Sequence, residues 1–208
     1  MMETIVRHPV VIYAESTPNP AAMKFVADRL LIRGSGTAEY KSRAETGTSP
    51  LAAALFDFPF VKNVFISYNY ISITKSDAVS WDDVTLELRE FLKSYINADK
   101  PIVTELPKKT VHTDSSFKNT TDVYTEHTVP QTETEHKIVE VLEQYIRPAV
   151  ENDGGLIVFK SFSQGVVTVI LKGSCSGCPS STVTLKAGIE ALMKRLIPEV
   201  KEVVAQEA

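Results

Sequence analysis

Cysteine is almost missing from this chain: of 208 residues only Cys175 and Cys178 are cysteines, both inside "KGSCSGCPSSTVTL". A bridge between neighbours so close removes little unfolded-chain entropy, so a disulfide-stapled fold is excluded and the two thiols are read as chemical groups. Long apolar runs are missing too. No stretch approaches the roughly 20 residues that cross a bilayer. "MMETIVRHPVVIYAES" lacks the charged start, apolar stretch and cleavage site of an export signal. These absences predict no membrane partner and a cytoplasmic location. There is no basic stripe with interleaved aromatics; the 22 Lys and Arg are scattered among 26 Asp and Glu, which argues against nucleic acid as a partner. What is present is ordinary for a globular chain, with 43% apolar residues and so enough material for a core.

The organisation reads as α+β, with two small α+β domains joined by a flexible linker. Residues 100–135 are rich in Thr, Lys, Glu and Pro, have few large apolar side chains and show no helical or alternating period, which marks the linker. Its His112 and His127, and His136 just after it, are expected to be solvated. Before it, 1–99 reads as β-β-α-β-β-α. "HPVVIYAEST" and "AMKFVADRLLI" are strands about the rigid turn "TPNP". Ser49 and Pro50 cap a short helix, "VKNVFISYN" and "YISITKS" alternate as strands, and Ser80 caps a helix that turns Val84, Leu88, Phe91, Leu92 and Tyr95 inward. After the linker, 136–208 reads as α-β-β-α-β. Its first helix carries a stripe of Ile138, Val139, Leu142, Tyr145, Ile146, Ala149 and Val150, with Thr132 and Glu135 as capping box, Pro148 costing a hydrogen bond, and Gly154 and Gly155 as the stop. A hairpin turns at Gln164 and Gly165, with Val167, Val169 and Leu171 on one side. A second helix from Pro179 turns Leu185, Ile189, Leu192, Met193 and Leu196 inward, and "VKEVVAQ" is the closing strand.

Cys178 falls beside the expected start of the second helix, where free amides and the helix dipole favour anionic sulfur. Ser176 and Gly177 between the cysteines allow a turn that points both sulfurs to one side. On this spacing alone three chemistries stand open. A thioredoxin-like redox pair shares the helix position but usually has Trp before it and Gly-Pro inside it. Zinc needs four ligands, and no histidine here has ligand-like spacing to the pair. An iron–sulfur cluster also needs four, which two copies of the chain supply across a twofold axis.

"DGG" at 153–155 and "GSCSGCPSSTVTLKAGIE" at 173–190 resemble the C-terminal domain of NifU, the Nfu-type iron–sulfur carriers, over about 136–206. "TPNPAAMKFV" at 17–26 and "SPLAAALFDFPFVKNVFISYNYISITK" at 49–75 resemble the Nfu N-terminal domain. The resemblance implies a non-enzymatic carrier: Cys175 and Cys178 of two protomers hold one bridging [4Fe–4S] cluster, received from an upstream scaffold and passed to apo iron–sulfur client proteins. The same resemblance implies a homodimer when the cluster is loaded, with the N-terminal domain recognising client or donor. Leu156, after the DGG, stands where many members have a polar or acidic residue. Ser174, Ser176, Ser180, Ser181 and Thr182 are expected chiefly as helix caps, and Lys172 and Lys186 as solvated or facing the cluster's negative charge. With no further cysteines for a scaffold domain, the chain is expected to carry finished clusters more than build them. The lack of an organellar presequence points to a bacterial source or a trimmed chain. A thiol–disulfide oxidoreductase and a zinc-bridged dimeric interaction module are the alternatives on the same two residues.

Overall fold

The computed structural model describes residues 8–32, 36–105, 126–176 and 179–207. The "TPNP" turn joins β1 (Ile12–Ser16) to β2 (Ala22–Ala27), which pair antiparallel. Ser49 accepts a hydrogen bond from Ala52 N–H and Pro50 opens α1 (Pro50–Leu55), a start where proline loses no helical bond. β4 (Val61–Ile66) and β5 (Tyr70–Lys75) follow, then α2 (Trp81–Asn97), capped by Ser80. A strand that periodicity does not announce, β3 (Ala38–Tyr40), pairs antiparallel with β4. Three residues are too few for an alternation to be read. The five strands form one antiparallel sheet in the order β1-β2-β5-β4-β3.

Both faces of that sheet are covered, and the period of two along each strand divides its residues between them. Phe25, Val64, Ile66, Ile71 and Ile73 lie under α1 and α2 with Leu51, Leu55, Leu88 and Leu92. Their immediate neighbours along the strands, Val26, Phe65 and Tyr70, cluster instead with Leu156 and Val158 of the second sheet.

The helix opened by the Thr132 and Glu135 capping box is continuous but not uniform: α3 (Glu133–Val141), a π-helical turn over Leu142–Ile146, and α4 (Arg147–Asn152). Pro148 in the first turn of α4 has no N–H to give and its ring crowds the preceding turn, and the wider turn accommodates both. The turn also shifts the phase of the apolar stripe. Ile138, Leu142, Ile146 and Val150 are buried, whereas Tyr145 and Ala149 leave the stripe and Tyr145 is 56% exposed.

Gly154, at φ 80°, ends the helical run, and β6 (Gly155–Ser163) pairs antiparallel with β7 (Val166–Gly173). α5 (Pro179–Leu196) begins at the expected proline and leads to β8 (Glu202–Glu207), which joins β7 in parallel. Val167, Val169 and Leu171 face the helices with Ile189 and Met193. Leu196 is exposed, and Ile197 takes the inward place expected of it.

The stretch read as a linker is held at both ends. Ser49 Oγ donates to Ile102 O and Thr104 N–H to Thr48 O. At the far end Glu126 accepts from the Thr37 N–H and hydroxyl and from Lys172 Nζ. His127 is a correction to the solvated reading. It is buried, its Nδ1 accepts from Phe159 N–H at 2.7 Å, and its Nε2–H donates to Glu143, which Arg147 also pairs at 2.8 Å. Expectations about 106–125, His112 among them, lie outside the described residues.

Candidate functional site

β7 ends at Gly173, whose φ of 66° turns the chain, and Ser176 N–H closes the turn onto Gly173 O at 3.1 Å. Cys175 sits on this turn, between the end of β7 and the start of α5. A β-carbon on Gly155 would stand 2.6 Å from Cys175 Sγ and 2.8 Å from Lys172 O, so the second glycine of "DGG" is what lets the sulfur lie against the start of β6. Gly154 makes a helix stop and Gly155 makes room for a thiol. The spacing of "DGG" to the cysteine run carried no signal for that second role, because the contact forms across 20 residues of chain.

Cys175 is 6% exposed and belongs to the apolar core of its own sheet. The sequence predicts a turn that favours anionic sulfur and points both sulfurs to one side; the Cys175 side chain is packed inward. Cys178 and Gly177 lie outside the described residues, as do the side chains of Ser180, Ser181 and Thr182.

On the side of the DGG turn, Cys175 lies beside polar backbone and the Ser174 hydroxyl. Ser174 is buried; its hydroxyl donates to Asp153 O and lies 3.9 Å from Cys175 Sγ, and its N–H donates to Gly154 O at 3.2 Å. Ser174 thus ties the cysteine turn to the DGG turn and caps no helix. Burial pushes the carboxyls of Asp153 and Glu151 up, against a smaller opposing pull from Lys24 and Arg147. Lys172 and Lys186, the two cations near the pair in sequence, are spoken for: Lys172 meets Glu126 at 2.8 Å and Lys186 meets Glu202 at 3.8 Å.

The first sheet also reaches this turn. Asn19, the asparagine of "TPNP", is 5% exposed and its side-chain amide donates to Ser174 O at 3.0 Å. Its own Oδ1 accepts from Ala21 N–H and Thr17 Oγ1 donates to Asn19 O, so the loop is braced from within while one amide points out. Trp81 Nε1 donates to Pro20 O and steadies the same loop. The rigid turn is therefore also a contact loop, which proline content alone did not decide.

Two family models match the chain. "Scaffold protein Nfu/NifU N terminal" matches residues 12–99 and "NifU-like domain" matches residues 138–204. The chain is 35% identical over 197 residues to "NFU1 iron-sulfur cluster scaffold homolog, mitochondrial" of Drosophila willistoni, covering 95% of this chain and 64% of that protein. It is 33% identical over 204 residues to "NifU-like protein 5, mitochondrial" of Arabidopsis thaliana, covering 95% and 68%. Among solved structures, a solution NMR structure of a NifU-like protein from Saccharomyces cerevisiae is similar at 24% identity and a TM-score of 0.42, over 50% of this chain and 99% of that one. The cytoplasmic expectation is overturned: both curated relatives carry the word mitochondrial in their names. The start of the chain has no weight against them, since it spans only 64% of the first relative's length.

Proposed function

Because the chain belongs to the Nfu/NifU scaffold family, we propose that it is a mitochondrial carrier, and not an enzyme, which holds an iron–sulfur cluster and passes it to apo-proteins. The cargo is a [4Fe–4S] cluster bridging two protomers, with Cys175 and Cys178 of each as ligands. The observation that carries the reading is the placement of the chain's two thiols at the junction of β7 and α5, within the match to the NifU-like domain. One chain supplies two thiolates where a cluster takes four, so pairing completes the ligand set and parting releases it. In this reading 1–99 and 136–208 are the functional units: the second holds the cluster, and the first recognises donors and clients.

The chemistry of the donor set fits such cargo. Cys175 supplies a soft sulfur, and Ser174 places a hydroxyl 3.9 Å from it, a group suited to hydrogen-bonding a cluster sulfur. A cluster shared at the edge of two chains is open to attack by a client's cysteines, so exchange proceeds one thiolate at a time.

The test is anaerobic reconstitution of the full chain with iron and sulfide, followed by native mass measurement and incubation with an apo-aconitase-like acceptor. The expected result is one cluster per two chains, visible absorption that moves to the acceptor, and no cluster on Cys175→Ser or Cys178→Ser protein that remains folded. An intact cluster on a single chain, binding of zinc alone, or iron and sulfide retained by the Cys175→Ser variant would each overturn it.

A further inference from the structure

The polar contacts from the first sheet and its "TPNP" loop to the two runs beside Cys175 fall on backbone atoms. Lys24 Nζ donates to Asn152 O at 3.2 Å, Ser72 Oγ to Gly154 O at 2.6 Å and the Tyr70 hydroxyl to Gly155 O at 3.0 Å. On the other side of the sulfur, Asn19 holds Ser174 O and Gly173 N–H donates to Glu39 Oε1 at 3.1 Å. These contacts fall on two short runs, 152–155 and 173–174, and the runs are the ones that enclose Cys175. The approach is close enough to need glycine. A β-carbon on Gly154 would stand 2.6 Å from Ser72 Oγ, and one on Gly173 would stand 2.8 Å from the Phe65 ring. Beneath the polar contacts, Val26, Phe65 and Tyr70 bury Leu156 and Val158, which explains an apolar residue directly after the DGG turn.

We propose that this seam is a gate on Cys175: while the two units are docked the cysteine turn is held with its sulfur inward, and ligand exchange requires the N-terminal unit to lift away. The inference rests on the reading of Cys175 as a cluster ligand. A cysteine that is 6% exposed does not reach a metal shared with a second chain, so the turn over 173–176 has to swing outward before a cluster is bound. That turn is the one Asn19 and Glu39 tie down. Three further groups, Lys24, Ser72 and Tyr70, fasten the DGG turn against which the sulfur packs. Loosening the first sheet therefore releases both runs beside the thiol at once, leaving only the apolar packing of its own unit to hold it.

The seam is built to open. Glu39 Oε2 and Asn63 Oδ1, on the carboxylate and amide that meet beside Gly173, are buried without a hydrogen-bond partner among the described residues. Water would satisfy both on separation, which offsets part of the apolar area lost. Hydrogen bonds and a small mixed apolar patch are what separable units within one chain use, in contrast to a continuous core. A client or donor that binds the same face of the first sheet would compete with the docked state and expose the thiol where it is to be used.

The experiment uses reduced, metal-free full-length protein. Iodoacetamide labelling is followed with time, and fragment-resolved mass spectrometry separates Cys175 from Cys178. Asn19→Ala and Tyr70→Phe each remove one contact to the enclosing runs, the second with its ring packing intact. Each is expected to speed Cys175 labelling by about threefold to tenfold, the change one lost hydrogen bond makes to an opening equilibrium. Hydrogen exchange at the β4 and β5 amides should stay at the wild-type rate, which separates seam opening from unfolding. Equal Cys175 rates in wild type and both variants, or acceleration only alongside faster β4 and β5 exchange, would overturn the gate. Cluster loading under anaerobic iron and sulfide is measured in parallel. Faster labelling in protein that never loads a cluster keeps the gate and removes the carrier reading, whereas normal loading with unresponsive labelling does the reverse.

Discussion

The two faces of the five-stranded sheet are built from alternate residues of the same strands, yet they are different kinds of surface. The face under α1 and α2 is built chiefly of apolar side chains, with Phe25, Val64, Ile66, Ile71 and Ile73 closed over by Leu51, Leu88 and Leu92. The opposite face mixes Val26, Phe65 and Tyr70 with Lys24, Ser72 and Glu39, and its polar groups are aimed at backbone atoms of the cysteine-bearing unit. The first has nothing to gain from water and is permanent. The second exchanges its hydrogen bonds for water at small net cost, so it parts without unfolding either sheet. Burial alone does not define a core; the chemistry of what is buried decides whether a surface can be reopened.

That contrast is open to attack from several sides. The largest effect is expected on the permanent face: Leu88→Ala should cost about 2–5 kcal/mol of unfolding free energy, in the range for a fully buried leucine. Denaturant titration followed at Trp81, which starts the same helix, reads it. Cys175 labelling should rise only in step with global unfolding. A variant that exposes the thiol without loss of stability would erase the distinction between the faces.

Gly173→Val attacks the seam from the other unit. It places a β-branched side chain at φ 66° and a β-carbon 2.7 Å from Gly154 O and 2.8 Å from Phe65. The strain is expected to cost about 1–3 kcal/mol and to fall on docking and on the second unit. Hydrogen exchange is the measurement: β6 and β7 amides should speed up and those of β4 and β5 should not.

The smallest effect concerns pH. Burial pushes the Glu126 carboxyl up, but the Lys172 ammonium and hydrogen bonds from Lys172 and Thr37 outweigh it and hold the group below its ordinary value of 4.5. A carboxyl lowered by folding adds stability that is present above its unfolded value and is lost as pH falls through the folded one. Since Thr37 belongs to the first unit and Lys172 to β7, docking should weaken as pH drops below about 4.5, with Cys175 labelling, corrected for the thiolate fraction, as the readout. Glu126→Gln should flatten that dependence while Thr132→Ala, which removes a local cap, should leave it in place.

Much of the fold follows from features that act within a few residues. Ser49 with Pro50, Ser80, and Thr132 with Glu135 mark helix starts because each satisfies amide groups two or three positions away. Gly154 ends a helix by its own backbone freedom, and Val167, Val169 and Leu171 declare a strand by alternation. The pair Cys175 and Cys178 stands out because a soft-ligand turn is itself a local motif.

What escaped a reading of the chain is nonlocal. His127 looked solvated in its polar surroundings, and its burial depends on Phe159 and Glu143, which sequence distance hides. The π-helical turn that moved Tyr145 out of the stripe is a shift of phase that periodicity assumes away. Asn19 reads as a turn residue, and nothing near it announces a partner 155 positions on.

By itself, then, the order of residues determined the elements, their caps and the site of the two thiols, because hydrogen bonding and side-chain periodicity over one or two turns are properties of neighbouring residues. Only the packed structure decided that Cys175 faces inward, that the DGG turn makes room for it, and that one face of the first sheet is a seam. Those outcomes belong to surfaces brought together by apolar burial, and a surface has no counterpart along a single line of chain.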